Sequence, residues 1–150
     1  DFYYGLNVKL SYKNWDFGFN GHGSIGYKVF NDFASNNSTA YFDVNAGNLP
    51  NFATAVKRTG FTQISGDYQY FSDFYLENAS FFRMDDINLG YTFKEIGNWQ
   101  GNIRVAASCQ NVFVITNYSG IDPEINSTDG VDRTFWPRPR TFSVRLNVNF

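Results

Sequence analysis

The chain has 150 residues, a length typical of one domain; Trp, Tyr and Phe make up 20% of it, whereas charged residues make up 17% against about 25% in average domains. Its net charge of -2 leaves no basic footprint for nucleic acid, and one cysteine with one histidine excludes a disulfide framework and a Cys/His zinc site. The longest apolar run, Val112–Ile115, is far shorter than the roughly 18 residues of a membrane-spanning helix, which excludes such helices.

The first two predicted strands alternate between apolar and polar residues. Residues 2–12 place six apolar side chains on one face, and residues 15–29 resume the alternation after the polar pair at 13–14. Alternation with a period of two indicates a strand with two different faces, and a two-residue connection predicts a hairpin.

Three further strands are predicted over residues 82–93, 102–115 and 140–150. In the first of these, Phe82 and Met84 are out of phase with Ile87. An extra residue in a strand shifts its phase in this way, so we predict a β-bulge near Asp85 and Asp86.

The connections alternate between short and long. Residues 13–14 and 94–101 are short, whereas residues 30–81, with a helical turn expected around 52–58, and residues 116–139 are long and polar. Strands of this length, tilted by about 45°, rise roughly 25–30 Å, which is the height of an outer-membrane apolar band. We therefore predict an all-β, antiparallel transmembrane β-barrel with tight turns at one rim and long loops at the other. Five strands do not close a barrel, so we expect other sequence to supply the rest.

On this prediction one face of each strand meets lipid and the other faces the lumen. Aromatic residues occur near both ends of the strands, as two interfacial girdles would require. Cys109 shares the apolar face of its strand and is interpreted as a small lipid-facing group. The polar residues assigned to the lumen are Lys9, Asp16, Asn20, His22, Arg104, Gln110 and Arg145.

The sequence offers no catalytic or metal-binding constellation. His22 has no Ser/Asp partner and no second ligand at a recognisable spacing. Asp122, Glu124 and Asn126 alternate as in a calcium loop, but the Gly and Glu that an EF-hand requires further on are absent. We interpret Asp122 and Pro123 as the start of a structural turn. We expect no enzymatic activity and no cofactor.

Five aromatic side chains in the first long loop lie near two aspartates in sequence. Aromatic faces beside carboxylates suit sugar rings or peptide backbones, so this cluster is the candidate for contact with a ligand or a covering protein. Packing between loops is the alternative. The five are Tyr68, Tyr70, Phe71, Phe74 and Tyr75.

Three segments in the second half of the chain follow one another in a recognisable order. They are Phe82–Phe93, then Gln110–Phe113 continued by Thr116–Glu124, then Trp136–Phe142 with the run to Phe150. Together they resemble the closing strands of SusC/RagA-type TonB-dependent outer-membrane transporters of Bacteroidetes.

The resemblance implies a barrel of about 22 strands in the bacterial outer membrane, with a plug that this chain lacks. It implies import of oligomeric nutrients, glycan or peptide, under a SusD-like surface lipoprotein, with energy from TonB through the absent N-terminal part. With Phe150 at the periplasmic side both long loops are extracellular. This terminal aromatic resembles the signal for outer-membrane assembly; an interfacial anchor is the alternative. The competing fold and function is a secreted, aromatic-rich β-sandwich that binds carbohydrate.

Overall fold

The structure is a computed structural model, and it describes residues 1–37, 39–41, 56–63, 72–96, 99–125, 127–133 and 136–149. The chain divides into two compact units: the first comprises Asp1–Gly26, Ser80–Thr116 and Arg138–Phe150, and the second comprises Tyr27–Ala79 and Asn117–Pro137. Within the described ranges, no helix is long and apolar enough to cross a membrane.

The described residues form strands and a few short helical segments. In chain order they are β1 (Phe2–Tyr12), β2 (Trp15–Ile25), β3 (Lys28–Asn31), α1 (Asp32–Asn37), β4 (Thr39–Tyr41), α2 (Val56–Thr59), β5 (Phe61–Gln63), a 3-10 turn (Asp73–Tyr75), β6 (Leu76–Asn78), β7 (Phe81–Ile96), β8 (Trp99–Thr116), β9 (Val131–Asp132) and β10 (Thr141–Asn149). A helical turn was expected around residues 52–58. Residues 56–58 of that range belong to α2, and residues 52–55 lie outside the described ranges.

The first unit is a five-stranded sheet in the order β1-β2-β7-β8-β10, with every neighbouring pair antiparallel. The antiparallel all-β fold predicted from the alternation is confirmed. The hairpin between β1 and β2 is tight: Tyr12 pairs with Trp15 across the turn, and the Asn14 carbonyl accepts a hydrogen bond of 2.9 Å from the Thr92 amide of β7.

Strand β2 is shorter than the alternation predicts, because it ends at Ile25 and not at residue 29. Gly26 follows with φ +91°, a left-handed conformation that interrupts extended backbone. Its amide donates to the Ser80 hydroxyl (3.0 Å). Strands β7 and β8 are longer than predicted, since their ladder continues to the pair Ile96 and Trp99.

The predicted bulge in β7 is confirmed. Asn20 of β2 pairs with Asp86 while the next residue, Gly21, pairs with Met84, so Asp85 is the extra residue. The extra residue restores one continuous apolar face along β7, because it brings Met84 onto the same side as Ile87.

The register places like residues side by side on each face of this sheet. Directly paired residues on neighbouring strands share a face. One row across the sheet reads Leu10, Phe17, Leu89, Ala107 and Val144, and it is wholly apolar. These apolar side chains remain on the surface of the described chain; Val144, for example, is 80% exposed. The opposite face carries mainly polar and charged side chains, with Tyr3, Phe81 and Val114 among them.

The second unit has its own small core. Strand β3 pairs antiparallel with β6 and parallel with β9, and β4 pairs with β5. Val29 and Ala79 are fully buried beside Tyr118, and Tyr27 and Ile125 pack against them. The segments predicted as long polar loops therefore contain a packed unit with secondary structure, because buried side chains from both segments compensate the ordering of the backbone.

Candidate functional site

The polar face of the five-stranded sheet carries an ion pair between non-adjacent strands. Arg104 of β8 donates from Nε and Nη2 to the two carboxylate oxygens of Asp16 of β2, at 3.0 and 2.5 Å. The pair passes over Gly90 of β7, where an added Cβ would lie 2.5 Å from Arg104 Nη2 and 2.6 Å from the Asp16 carboxylate. A bidentate arginine–carboxylate pair fixes the direction of both side chains.

A histidine–carboxylate pair lies on the same face. His22 Nδ1 is 2.6 Å from Asp85 Oδ2, and the imidazole contacts the Phe81 ring edge-on, with ring centroids 5.4 Å apart. Asp85 is the bulge residue, so the bulge turns its carboxylate toward His22. This pair was not predicted from the sequence, where His22 had no recognisable Asp partner, because the two residues are 63 positions apart.

Six of the seven residues predicted to face the lumen line two grooves on the polar face, and His22 lies on that face without lining either groove. A groove of about 720 Å³ is lined by side chains of β7, β8 and β10, including Asp86, Asn88, Arg104, Gln110 and Arg145. A smaller one of about 200 Å³ is lined in part by Lys9, Asp16 and Asn20. Asp86 and Asn88 were missed in the sequence, although the phase shift at the bulge places them on this face.

A three-way clamp joins β7, β8 and the segment before β10. Arg83, which is 3% exposed, donates from Nη1 to Asn111 Oδ1 (2.8 Å). Asn111 Nδ2 donates in turn to the Arg138 carbonyl (2.7 Å). Asn111 has φ +51°, a conformation that asparagine tolerates better than most residues. The clamp fixes where the last strand enters the sheet.

In the second unit, a carboxylate joins residues from three separate segments. Glu77 Oε1 accepts from Asn31 Nδ2 (3.0 Å) and from the Ser119 hydroxyl (2.6 Å), and Glu77 Oε2 accepts from the Ser119 amide (2.8 Å). Asn31 is 2% exposed, so its amide is bonded away from bulk water. Hydrogen bonds to a charged acceptor are stronger than neutral ones, and these hold the two long connections together.

The segment with alternating acidic residues is built as internal turns. Asp122 Oδ1 accepts from the Glu124 amide (2.9 Å), the arrangement of an Asx turn. The Ser127 hydroxyl and then the Arg133 guanidinium hold the pKa of Asp129 well below its usual range. Arg133, at the position where an EF-hand has its glutamate, thus pairs with a carboxylate. Among the described residues, no group of three or more His, Cys, Asp or Glu is placed to hold a metal ion. Asn126 lies outside them.

Tyr118 gives the second unit a pH dependence. Its hydroxyl donates to Asp132 Oδ2 (2.7 Å), and both residues are buried. Burial raises the pKa of the phenol, and the hydrogen bond to Asp132 raises it further. The folded unit therefore keeps a proton that the unfolded chain loses near pH 10, so this stabilisation is complete below that pH and declines as the pH rises above it.

We expect subtilisin to cleave residues 117–137 of the full-length protein faster as the pH is raised from about 9 to 11, after correction for the activity of the protease. In Tyr118→Phe this alkaline increase should be reduced, since no phenol titrates there. Tyr3→Phe, at a position 67% exposed, is the control and should keep the native profile. An unchanged alkaline increase in Tyr118→Phe would contradict the assignment.

The aromatic cluster predicted to contact a ligand or covering protein is only partly described. Tyr68, Tyr70 and Phe71 lie outside the described residues, as does Phe150. Phe74 is 57% exposed, whereas Tyr75 is 2% exposed and packs edge-on against Phe30, with ring centroids 6.3 Å apart. Of the two described members, Phe74 offers contact surface and Tyr75 belongs to the packing of the unit.

Comparison with known proteins identifies relatives of much greater length. The chain is 38% identical over 154 residues to the TonB-dependent receptor SusC of Bacteroides thetaiotaomicron, covering 97% of the chain and 15% of the relative. It is 30% identical over 173 residues to the TonB-dependent receptor P3 of Formosa agariphila, covering 100% of the chain and 16% of the relative. No protein-family model matches the chain.

Among solved structures, the fold is similar to part of the RagAB peptide transporter. The TM-score is 0.72 at 20% sequence identity, over 97% of this chain and 17% of the matched chain. The five-stranded sheet therefore has the fold of a barrel segment, and the chain spans only a small part of the length of the proteins it resembles.

Proposed function

The chain belongs to the SusC/RagA-like family of TonB-dependent receptors, which are outer-membrane proteins, and we propose that it forms part of the wall of a TonB-dependent importer of oligomeric nutrients. The observation that carries this proposal is the two-faced sheet. Its apolar side chains are exposed on one face across all five strands, whereas the Asp16–Arg104 ion pair, the His22–Asp85 contact and the polar grooves lie on the other.

Each face fits the environment that an importer's wall requires. Charged groups are costly in lipid, so the Asp16–Arg104 and His22–Asp85 pairs belong on the side of an aqueous lumen. The apolar face, with Cys109 among its small residues, is suited to lipid. A secreted β-sandwich would bury such a face against a second sheet, so the exposed face and the family membership argue against that alternative.

The proposal assigns different tasks to the two units. The polar face lines the path of the nutrient, with Asp16, Asn20, His22, Arg104, Gln110 and Arg145 toward the lumen. The second unit lies outside the cell, where Phe74 and the other cluster aromatics contact the nutrient or a SusD-like lipoprotein lid. We propose the remaining barrel strands, a plug and TonB as partners of this wall, with Phe150 serving assembly or anchoring at the periplasmic side.

The two candidate substrate classes for this importer are glycans and peptides. The relative with the solved structure is named a peptide transporter, and the SusC relative is named only as a receptor. The exposed aromatic Phe74 suits both classes, because rings stack on sugar faces and on peptide groups. We propose that the wall contacts the oligomer during import without catalysing a reaction on it, since the groups on the polar face can form ion pairs and hydrogen bonds with a passing oligomer.

The test is deletion of the full-length gene in its native host. In the deletion strain we expect growth on one class of oligosaccharide or peptide to be lost while growth on its monomers is retained. In the wild-type strain we expect the protein only in the detergent-extracted outer-membrane fraction. In the complemented strain, Phe74→Ala should weaken uptake or co-purification of the lipoprotein, and Phe33→Ala, at a position 45% exposed in the same unit, is the control. Recovery of the native protein in the soluble fraction would contradict the proposal.

A further inference from the structure

An apolar groove crosses β2, β7 and β8 on the apolar face, near the tight turn between β1 and β2. Its volume is about 520 Å³, within the roughly 300–1,000 Å³ usual for sites that bury small molecules. The side chains that form it are Trp15, Leu89, Tyr91, Phe93, Val105 and Ala107. All six lie on the face that we propose to be in contact with lipid, and the inference rests on that placement.

The groove has a rigid aromatic wall and an aliphatic floor. The Trp15 and Tyr91 rings meet edge-on with centroids 4.7 Å apart, and Tyr91 meets Phe93 in the same way at 4.7 Å. Val105 pairs with Tyr91, and Ala107 pairs with Leu89. Val105 and Ala107 have shorter side chains than the aromatic residues beside them, so they form the floor of the groove. The groove therefore has the apolar lining that an acyl chain requires.

A cation lies beside the groove on the same face. Lys13, in the turn that leads into Trp15, has its Nζ 5.3 Å from the centroid of the Tyr12 ring, and Tyr12 pairs directly with Trp15. The bond from the Thr92 amide to the Asn14 carbonyl holds this turn against β7. A lysine at the edge of an aromatic girdle reaches the depth of lipid phosphates.

We propose that this groove is a binding site for one phospholipid with an anionic headgroup, with an acyl chain against Val105 and Ala107 and the headgroup phosphate at the Lys13 ammonium. The charge complementarity selects the occupant. A lysine near the membrane surface favours anionic over zwitterionic lipid by about fivefold. The aromatic wall gives the groove a fixed shape, because the Trp15 and Tyr91 rings hold each other in position.

The experiment is native mass spectrometry of the full-length protein in detergent, titrated with phosphatidylglycerol. Ala107→Phe fills the groove and should reduce the retained phosphatidylglycerol at least tenfold. Cys109→Phe is the matched control: it adds the same ring on the same strand and face, two residues away, where Cys109 pairs with Ile87 and Phe142 outside the groove. Heat-modifiable electrophoretic mobility shows that each variant is a folded barrel.

A second variant tests the headgroup. Lys13→Gln, in an exposed turn, should lower the preference for phosphatidylglycerol over phosphatidylcholine by about fivefold. Equal retention in the native protein and Ala107→Phe, or equal loss in Ala107→Phe and Cys109→Phe, would overturn the site. If Ala107→Phe fails to assemble, an unchanged lipid preference in Lys13→Gln overturns it. The growth assay is independent of this titration, so failure of import and failure of the lipid site are distinguishable.

Discussion

Replacing Gly23 with valine is expected to destabilise the full-length protein by about 3 kcal/mol, the upper part of the usual range for overpacking. Gly23 of β2 lies between Tyr4 of β1 and Phe82 of β7, whose rings are parallel within 4° and 6.3 Å apart. A Cβ at Gly23 would lie 2.5 Å from the Phe81 carbonyl oxygen and 2.5 Å from the end of the Tyr4 ring. Because the carbonyl is backbone of the neighbouring strand, relief requires a shift of the ladder itself.

The urea midpoint of the refolded protein in lipid vesicles measures this effect. Gly5→Val is the matched control, because Gly5 lies on the neighbouring strand β1 and an added Cβ there meets no atom within 4 Å. We expect a midpoint close to the native value for Gly5→Val and a clearly lower one for Gly23→Val. Equal midpoints would show that the sheet yields at Gly23 without cost.

Replacing Asn111 with alanine is expected to release the start of the last strand. The variant loses the hydrogen bond from Arg83, whose side chain is 3% exposed, and the bond to the Arg138 carbonyl. Hydrogen bonds of a charged group contribute about 1.5–3 kcal/mol and neutral ones about 1 kcal/mol. Holding the left-handed backbone of this position costs alanine roughly 1 kcal/mol more, so the total is about 3.5–5 kcal/mol.

Hydrogen exchange of the full-length protein localises this loss. We expect β10 amides to exchange at least tenfold faster in Asn111→Ala, with smaller changes in β1, at the opposite edge of the described sheet. Asn7→Ala is the control, since Asn7 is an exposed asparagine on the polar face of β1. Exchange that stays at the native rate in β10 would refute the role of the clamp.

The two variants concern opposite faces of the same sheet. Gly23 matters because aromatic rings on the apolar face approach its backbone closely, whereas Asn111 matters because the Arg83 guanidinium and the Arg138 carbonyl need hydrogen-bond partners. Both effects arise where three segments of the chain meet, which explains why they exceed the effect of a single exposed contact.

Strand positions, the two faces and the bulge near Asp85 could be predicted from the sequence. Each depends on side chains that alternate along a few neighbouring residues, and the bulge appears as a break in that alternation at Met84. The three segments from Phe82 onward also indicated the family, which the 38% identity to SusC confirms. These patterns involve residues that are neighbours in sequence, so they can be recognised without knowledge of the fold.

Only the tertiary structure decided which side chains meet. Asp16 and Arg104 are 88 residues apart, and His22 and Asp85 are 63 apart, so neither pair could be predicted from the spacing of residues in the sequence. The end of β2 at Ile25 depends on the backbone of Gly26 and its bond to Ser80. Folding of the long connections into a unit depends on Val29, Ala79 and Tyr118, which come from distant segments. Alternation sets which face a side chain occupies, whereas strand register and chain packing set its partner.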